Sequence, residues 1–347
     1  MIRTYLDNKL ISSLKTALIS KDKLSKEFDY FKSLYLFLIE NKKNELFLAE
    51  RNIKIEREEL ESIIKREGEV PFSSMSTSDY VINSKFDFKS INKSTVLIFV
   101  DFSDEELNNL EERQGFFFLN CNSCYSKWKK ISINNKYAKS VTASFRSHNG
   151  KGFNFKETFR HYNFSCNSIL ISDRYLRGWS TYSIIKNLIP LFESIVPNDK
   201  CEKVFLTLFT SEKRDGNYNH TIQSLHNTVN TELSKKYNIE LSTICVHEDE
   251  FSGVERTEVQ NIIHGRHLMT NYLHLASLHS FDINGHNGVK KDTEINVKSL
   301  IESSHFSNSF KKRLSYKKLL DKISTNPRAF ELIGDYQSNL IFKELLP

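Results

Sequence analysis

SILIS (168–172), VFLTLF (204–209) and LSTICV (241–246) are three short apolar runs whose reading decides the fold. Each is strand-length and rich in β-branched or aromatic residues, and each stops at polar residues. Between them lie longer stretches with helical spacing, Thr181 to Ile195, interrupted or bent near Pro190, and Asn219 to Tyr237. Strands that alternate with helical crossovers imply a largely parallel sheet. Glu258 to Met269 and Leu273 to Ile283 read as two further strands joined at Thr270-Asn271, an antiparallel addition. Residues 299–347 read as helical, with Asn326-Pro327 opening the last helix. The expected class is α/β, a mixed, mostly parallel sheet flanked by helices, preceded by a helical N-terminal module.

Upstream, Leu6, Leu10, Leu14 and Leu18 repeat every four residues. Leu24, Phe28, Phe31, Leu34 and Leu38 continue the stripe, and Ile53, Leu60, Ile63 and Ile64 mark a third helix ended by Gly68 and Pro71. Ser73 to Ser78 reads as a loop and Thr95 to Phe102 as a buried strand. Ser103 with Glu106 forms a capping box for a helix from Asp104 to Arg113. Phe116 to Leu119 and Val141 to Phe145 are short strands, and Asn149-Gly150 is a turn. The expected divisions are a helical module at 1–70, an α/β linker region at 71–160, the main α/β domain at 161–300 and C-terminal helices at 301–347.

No apolar run approaches the ~18 residues that cross a bilayer, and the N-terminus has no signal-peptide core, so a cytoplasmic protein is expected. The five cysteines form an odd set with a single C-x-x-C, Cys121 and Cys124, which predicts free thiols and no zinc ribbon. No P-loop, dinucleotide fingerprint or G-x-S-x-G elbow is present. No metal and no cofactor is expected.

Net charge is +6, and it is unevenly placed. Lys127, Lys129, Lys130, Lys136, Lys139, Arg146, Lys151, Lys156 and Arg160 face only Glu157 over residues 122–160. Lys311-Lys312-Arg313 with Lys317-Lys318 form a second cluster. Such clusters fit a polyanion, with Lys127, Lys129, Lys130, Arg146, Lys311, Lys312 and Arg313 as nucleic-acid contacts; a solvated lysine-rich surface is the alternative. Five of the 11 histidines fall between 264 and 286. On an extended strand His264 and Arg266 would project from one face, an imidazole beside a guanidinium, which suits a phosphate. A zinc site from His264, His267 or His279 lacks the helical pairing of known motifs. Tyr175, Arg177 and Trp179 could stack on bases or simply pack.

His264-Gly265-Arg266, then Ser280-Phe281-Asp282, with Ser172-Asp173-Arg174-Tyr175-Leu176 upstream, resemble the phospholipase-D-like domain at the C-terminus of microtubule-interacting-and-trafficking proteins and their bacterial relatives. The resemblance covers residues 166–285. It implies phosphate contacts from Arg174, Arg266 and Ser280, and Asn271 between the two expected strands is a further candidate phosphate contact. Catalytic members carry His-x-Lys, whereas Arg266 stands at the lysine position here, and one motif is present where those enzymes have two. The resemblance therefore implies a fold that binds phosphate groups. The expected function is nucleic-acid binding through phosphates, in a bacterial defence or conflict setting by fold analogy alone. One alternative is a metal-independent phosphodiesterase or nuclease with His264, Arg266 and Asp282 as its catalytic residues. The other is an adaptor on a membrane surface or on a partner protein that docks the N-terminal helices. Two copies could pair as a homodimer to rebuild a site.

Overall fold

The computed structural model describes residues 2–19, 26–40, 44–48, 53–65, 91–131, 140–143, 152–196, 200–212, 216–290, 292–301 and 303–343. The expected loop at 73–78, the helix end at Gly68 and Pro71, and the turn at Asn149-Gly150 lie outside them. The chain forms two compact units, Met1–Ser132 and Ile133–Pro347.

The first unit is itself α/β. It contains β1 (Ile2–Leu6), α1 (Asn8–Ile19), α2 (Lys26–Glu40), β2 (Asn44–Leu48), β3 (Ile53–Ile55) and α3 (Arg57–Lys65). It continues with β4 (Val96–Phe99), α4 (Asp104–Gln114), β5 (Phe117–Leu119) and α5 (Cys124–Ile131). The strands form one sheet in the order β3-β2-β1-β4-β5. The expected helical module is thus corrected. Ile2 to Leu6 is a strand parallel to both β2 and β4, and the helices over 8–65 flank its sheet. The leucine stripe was real from Leu10 onward, with Leu10, Ile11 and Leu14 buried. Leu6 belongs to the strand because the Asp7 carboxylate accepts from the Lys9 N–H at 2.6 Å and opens α1. The Ser103–Glu106 capping box forms as expected, with reciprocal bonds at both ends.

The second unit carries β6 (Ser140–Ala143), α6 (Phe155–Phe159), β7 (Ser168–Ser172), α7 (Thr181–Ser183), α8 (Ile189–Ile195), β8 (Val204–Glu212), α9 (Ile222–Ser234) and β9 (Ile239–His247). After these come α10 (Gly253–Ile263), β10 (Arg266–Thr270), β11 (Leu273–Ser277), the small β12–β13 ribbon (Asn284–Gly285, Gly288–Val289) and β14 (Thr293–Ser299). The unit ends with α11 (Ser303–Asp321), β15 (Phe330–Ile333) and α12 (Leu340–Lys343). Eight strands lie in the order β15-β9-β8-β7-β10-β11-β14-β6. β7, β8 and β9 run parallel, and the other pairings are antiparallel. The parallel strands are buried on both faces, which is why they read as continuous apolar runs.

Leu170, Phe209, Ile244 and Val246 of these strands pack with Val259 and Ile263 of α10 and with Tyr316, Leu319 and Leu320 of α11. Between α7 and α8 the helix takes a π-helical turn, Ile184–Leu188, in which the Ile189 N–H reaches the Ile184 carbonyl. Pro190 follows and has no N–H to donate to an α-helical ladder. This turn buries Asn187, whose side chain clamps the later 282–284 segment. Its amide oxygen accepts from Ile283 and Asn284, and its nitrogen donates to Asp282 and the Asn284 carbonyl.

Three expectations change. The strand expected over Leu273 to Ile283 ends at Ser277. Glu258 to Met269 is not one strand: α10 ends at Ile263 and β10 begins at Arg266. Nor is 299–347 wholly helical, because Phe330–Ile333 adds an edge strand antiparallel to β9. That strand ends at Gly334, whose φ is +82° and where a Cβ would meet the Leu241 carbonyl oxygen at 2.3 Å.

Candidate phosphate-binding site

The site lies at the carboxyl ends of β7, β8 and β9, where ligands of open α/β sheets gather. Strand geometry ends abruptly there because the next side chains bond locally. Asp173 is wholly buried. Its Oδ1 accepts from the Tyr175 N–H at 2.9 Å and its Oδ2 from the Ser280 hydroxyl at 2.9 Å. Burial pushes its carboxyl above the usual range; those hydrogen bonds and the nearby Arg266 charge pull the other way.

Arg174 turns inward. Its Nη2 donates to Glu248 Oε2 at 2.6 Å, a buried ion pair. Ser211 donates to the other Glu248 oxygen at 2.8 Å, and Gln260 adds a bond at 3.2 Å. The Arg174 Nη1 lies 2.5 Å from His264 Nε2 and 3.3 Å from Nδ1. An imidazole nitrogen that accepts from a guanidinium presents its lone pair to that donor, and a nucleophile needs that same lone pair.

His264 is exposed and is the C-terminal cap of α10, its N–H bonded to the Gln260 carbonyl. It does not share a strand face with Arg266, which corrects the expected geometry. α10 carries one, against Arg174, and β10 the other, beside Tyr175. Arg266 opens β10 opposite Ser277. Its guanidinium carbon lies 5.4 Å from the Tyr175 ring centroid, and its buried Nε has no hydrogen-bond partner.

The other expected residues are placed differently. Ser280 is committed to Asp173 and to the Asp282 N–H. Asp282 is tied to Asn187 and ion-paired with Lys290. Asn271 is buried and works as a backbone clamp, accepting from the N–H groups of Asn167 and Ser168 at 3.0 Å. Arg313 is only 1% exposed and donates to the Thr270 carbonyl at 2.6 Å. Lys312 donates to the carbonyls of Asn261 and Ile262 near the end of α10, and burial lowers its pKa to about 8. Lys311 is exposed. In the first unit Lys127 pairs with Glu111 at 3.0 Å. The side chains of Lys129 and Lys130, and all of Arg146, lie outside the described residues. Arg313 and Lys127 are therefore internal struts, because their cationic heads satisfy buried or half-buried acceptors. Trp179 and Arg177 are buried, so of the three candidate stackers Tyr175 alone is open, at 49%.

Beside Arg266, His267 bonds His274 at 3.0 Å and His274 bonds Ser309 at 2.8 Å. The His267 ring lies against Gly265, where a Cβ would fall 2.0 Å from its Nε2. Burial, then the charges of Lys312, Lys298 and Arg266, holds His267 down at about 3. His274 is pushed well below its ordinary value chiefly by burial. Glu212, Cys245 and His247 form the one group among the described residues that could hold a metal ion. The Arg177 guanidinium already bonds both Glu212 and Cys245 there, so the cluster carries its own cation. The cysteines are all free thiols.

Sequence reading missed Glu248, Ser211 and Gln260. The available signal was position: Glu248 stands directly after the last residue of β9, at the same sheet end as Asp173. Among the described residues no helix is long and apolar enough to cross a membrane. No protein-family model matches the chain, and no curated protein matches it.

Proposed function

We propose that the second unit binds nucleic acid through its phosphates, with Arg266 as the contact. The observation that carries this reading is the half-buried Arg266 guanidinium at the strand ends, which lies 5.4 Å from the centroid of the open Tyr175 ring. The terminal nitrogens of a guanidinium bind a phosphate oxygen with charge-assisted, bidentate geometry. Lys298 and Lys312, which both act on His267, add positive potential around two histidines held neutral. The phospholipase-D-like resemblance agrees with binding, as does a defence or conflict role by the same analogy.

Fluorescence anisotropy with a labelled oligonucleotide tests the reading. Affinity should fall steeply with salt, and Arg266→Ala should weaken binding and reduce the slope of log K against log salt by about one. A salt-independent affinity, or an unchanged Arg266→Ala, would overturn it.

A second reading, a metal-independent phosphodiesterase, draws on the exposure of His264 at the same sheet end. Arg174 occupying the imidazole edge speaks against it. The expected result is no cleavage by the wild-type protein, with or without chelator. Chelator-resistant cleavage lost in His264→Ala would favour the enzyme.

A further inference from the structure

We infer that Tyr175 is a stacking platform and that the site selects single-stranded nucleic acid, one unpaired base lying on the phenol ring while the adjoining phosphate meets Arg266. The inference rests on the phosphate reading above.

Large apolar side chains at a sheet end normally pack inward, as Leu176 and Trp179 do here. Tyr175, directly before Leu176 in sequence, leaves 49% of its surface open. Its backbone is nevertheless fixed. The N–H is held by Asp173, and its carbonyl accepts from Gly178 at 2.8 Å as the short 3-10 turn Leu176–Gly178 begins. Two guanidinium carbons approach the ring, Arg266 at 5.4 Å and Arg174 at 5.9 Å from its centroid. Arg174 is in turn pinned by Glu248. The ring is therefore a pre-positioned, polarised flat surface beside the one guanidinium assigned to phosphate.

That pairing matches a nucleotide whose base is free of a partner. In a duplex the π-faces are covered by neighbouring pairs, so an exposed ring at a strand end reaches only an unpaired base. A lipid headgroup offers phosphate without an aromatic face.

The test compares four probes by anisotropy or flotation at low salt: a short oligothymidylate, a duplex of equal length, an abasic phosphodiester strand of equal length, and phosphatidylserine vesicles. The oligothymidylate should bind tightest. Tyr175→Ala should weaken it about tenfold, within the range expected for one stacked base, and leave the abasic strand unchanged; Tyr175→Phe should retain wild-type affinity. Tyr175 is exposed, so the variants should keep the wild-type far-UV circular dichroism. An abasic strand or a duplex that binds as tightly as oligothymidylate would overturn the stacking role while the phosphate reading stands. Failure of every phosphodiester to bind would remove the reading beneath it. Vesicles held more tightly than any strand would replace nucleic acid with a membrane surface.

Discussion

Glu248→Ala should destabilise the second unit by about 3–5 kcal/mol, the usual cost of removing one partner from a buried ion pair. Glu248 is wholly buried and receives Arg174, Ser211 and Gln260. Removing it leaves a buried guanidinium and two polar side chains without their acceptor. Gln260 and His264 both lie at the end of α10, so that end should loosen with them. Glu248→Gln keeps one acceptor oxygen and should cost less. Because the chain has two compact units, a single unfolding transition cannot be assumed. The chain has two tryptophans, so a Trp128→Phe background leaves Trp179 to report on the second unit. Urea midpoints from that fluorescence measure the effect. A loss below about 1 kcal/mol, the scale of a single ordinary hydrogen bond, would show that this cluster does not hold the sheet end together.

The second large effect is on pH dependence. His267 and His274 are both held below their ordinary values, His267 at about 3. In the unfolded chain they take up protons below about 6.5; in the native chain they do not. Their contribution to stability is thus complete above pH 6.5 and is lost as pH falls toward 3, at roughly 1.4 kcal/mol per pH unit for each histidine. Burial enforces this first, and the cations that face them add to it: Lys298 of β14, Lys312 and Arg313 of α11, and Arg266 of β10. Ser309 and Tyr316 add no negative charge. Asp173 acts in the opposite sense, since its raised carboxyl binds a proton in the native state first. Urea midpoints at pH 7, 6 and 5 should therefore fall with pH, and more steeply in wild type than in His267→Gln. Equal slopes in the two proteins would remove His267 as the source.

Much of the central sheet was legible because its strands are buried on both faces. Ser168–Ser172 matches its expected span, and β8 and β9 extend the expected runs by a few residues at their ends. The capping box was legible because it is local: Ser103 and Glu106 bond each other whatever the rest of the chain does. α10 was misread because Val259, Ile262 and Ile263 are β-branched, which lowers helix propensity. Packing of Val259 and Ile263 into the core overrides that preference. β15 was misread for a related reason: FELI carries no strand alternation, and what makes it a strand is the open edge of β9.

For the site, the sequence alone determined which chemistry was at hand: His264, Arg266 and the Asp173-Arg174-Tyr175 run, the last of them directly after an apolar strand signal. It also determined an α/β chain with three parallel strands at the centre of a mixed sheet, because periodicity and burial are written locally. Only the tertiary structure decided which cations face outward. Arg174, Arg313 and Arg266 are the same residue type, yet Glu248 neutralises the first, the Thr270 carbonyl accepts from the second, and the third lies beside the open Tyr175 ring. Partners that lie 43 and 74 residues apart in the chain leave no local pattern. A guanidinium's role depends on which acceptor the fold brings to it.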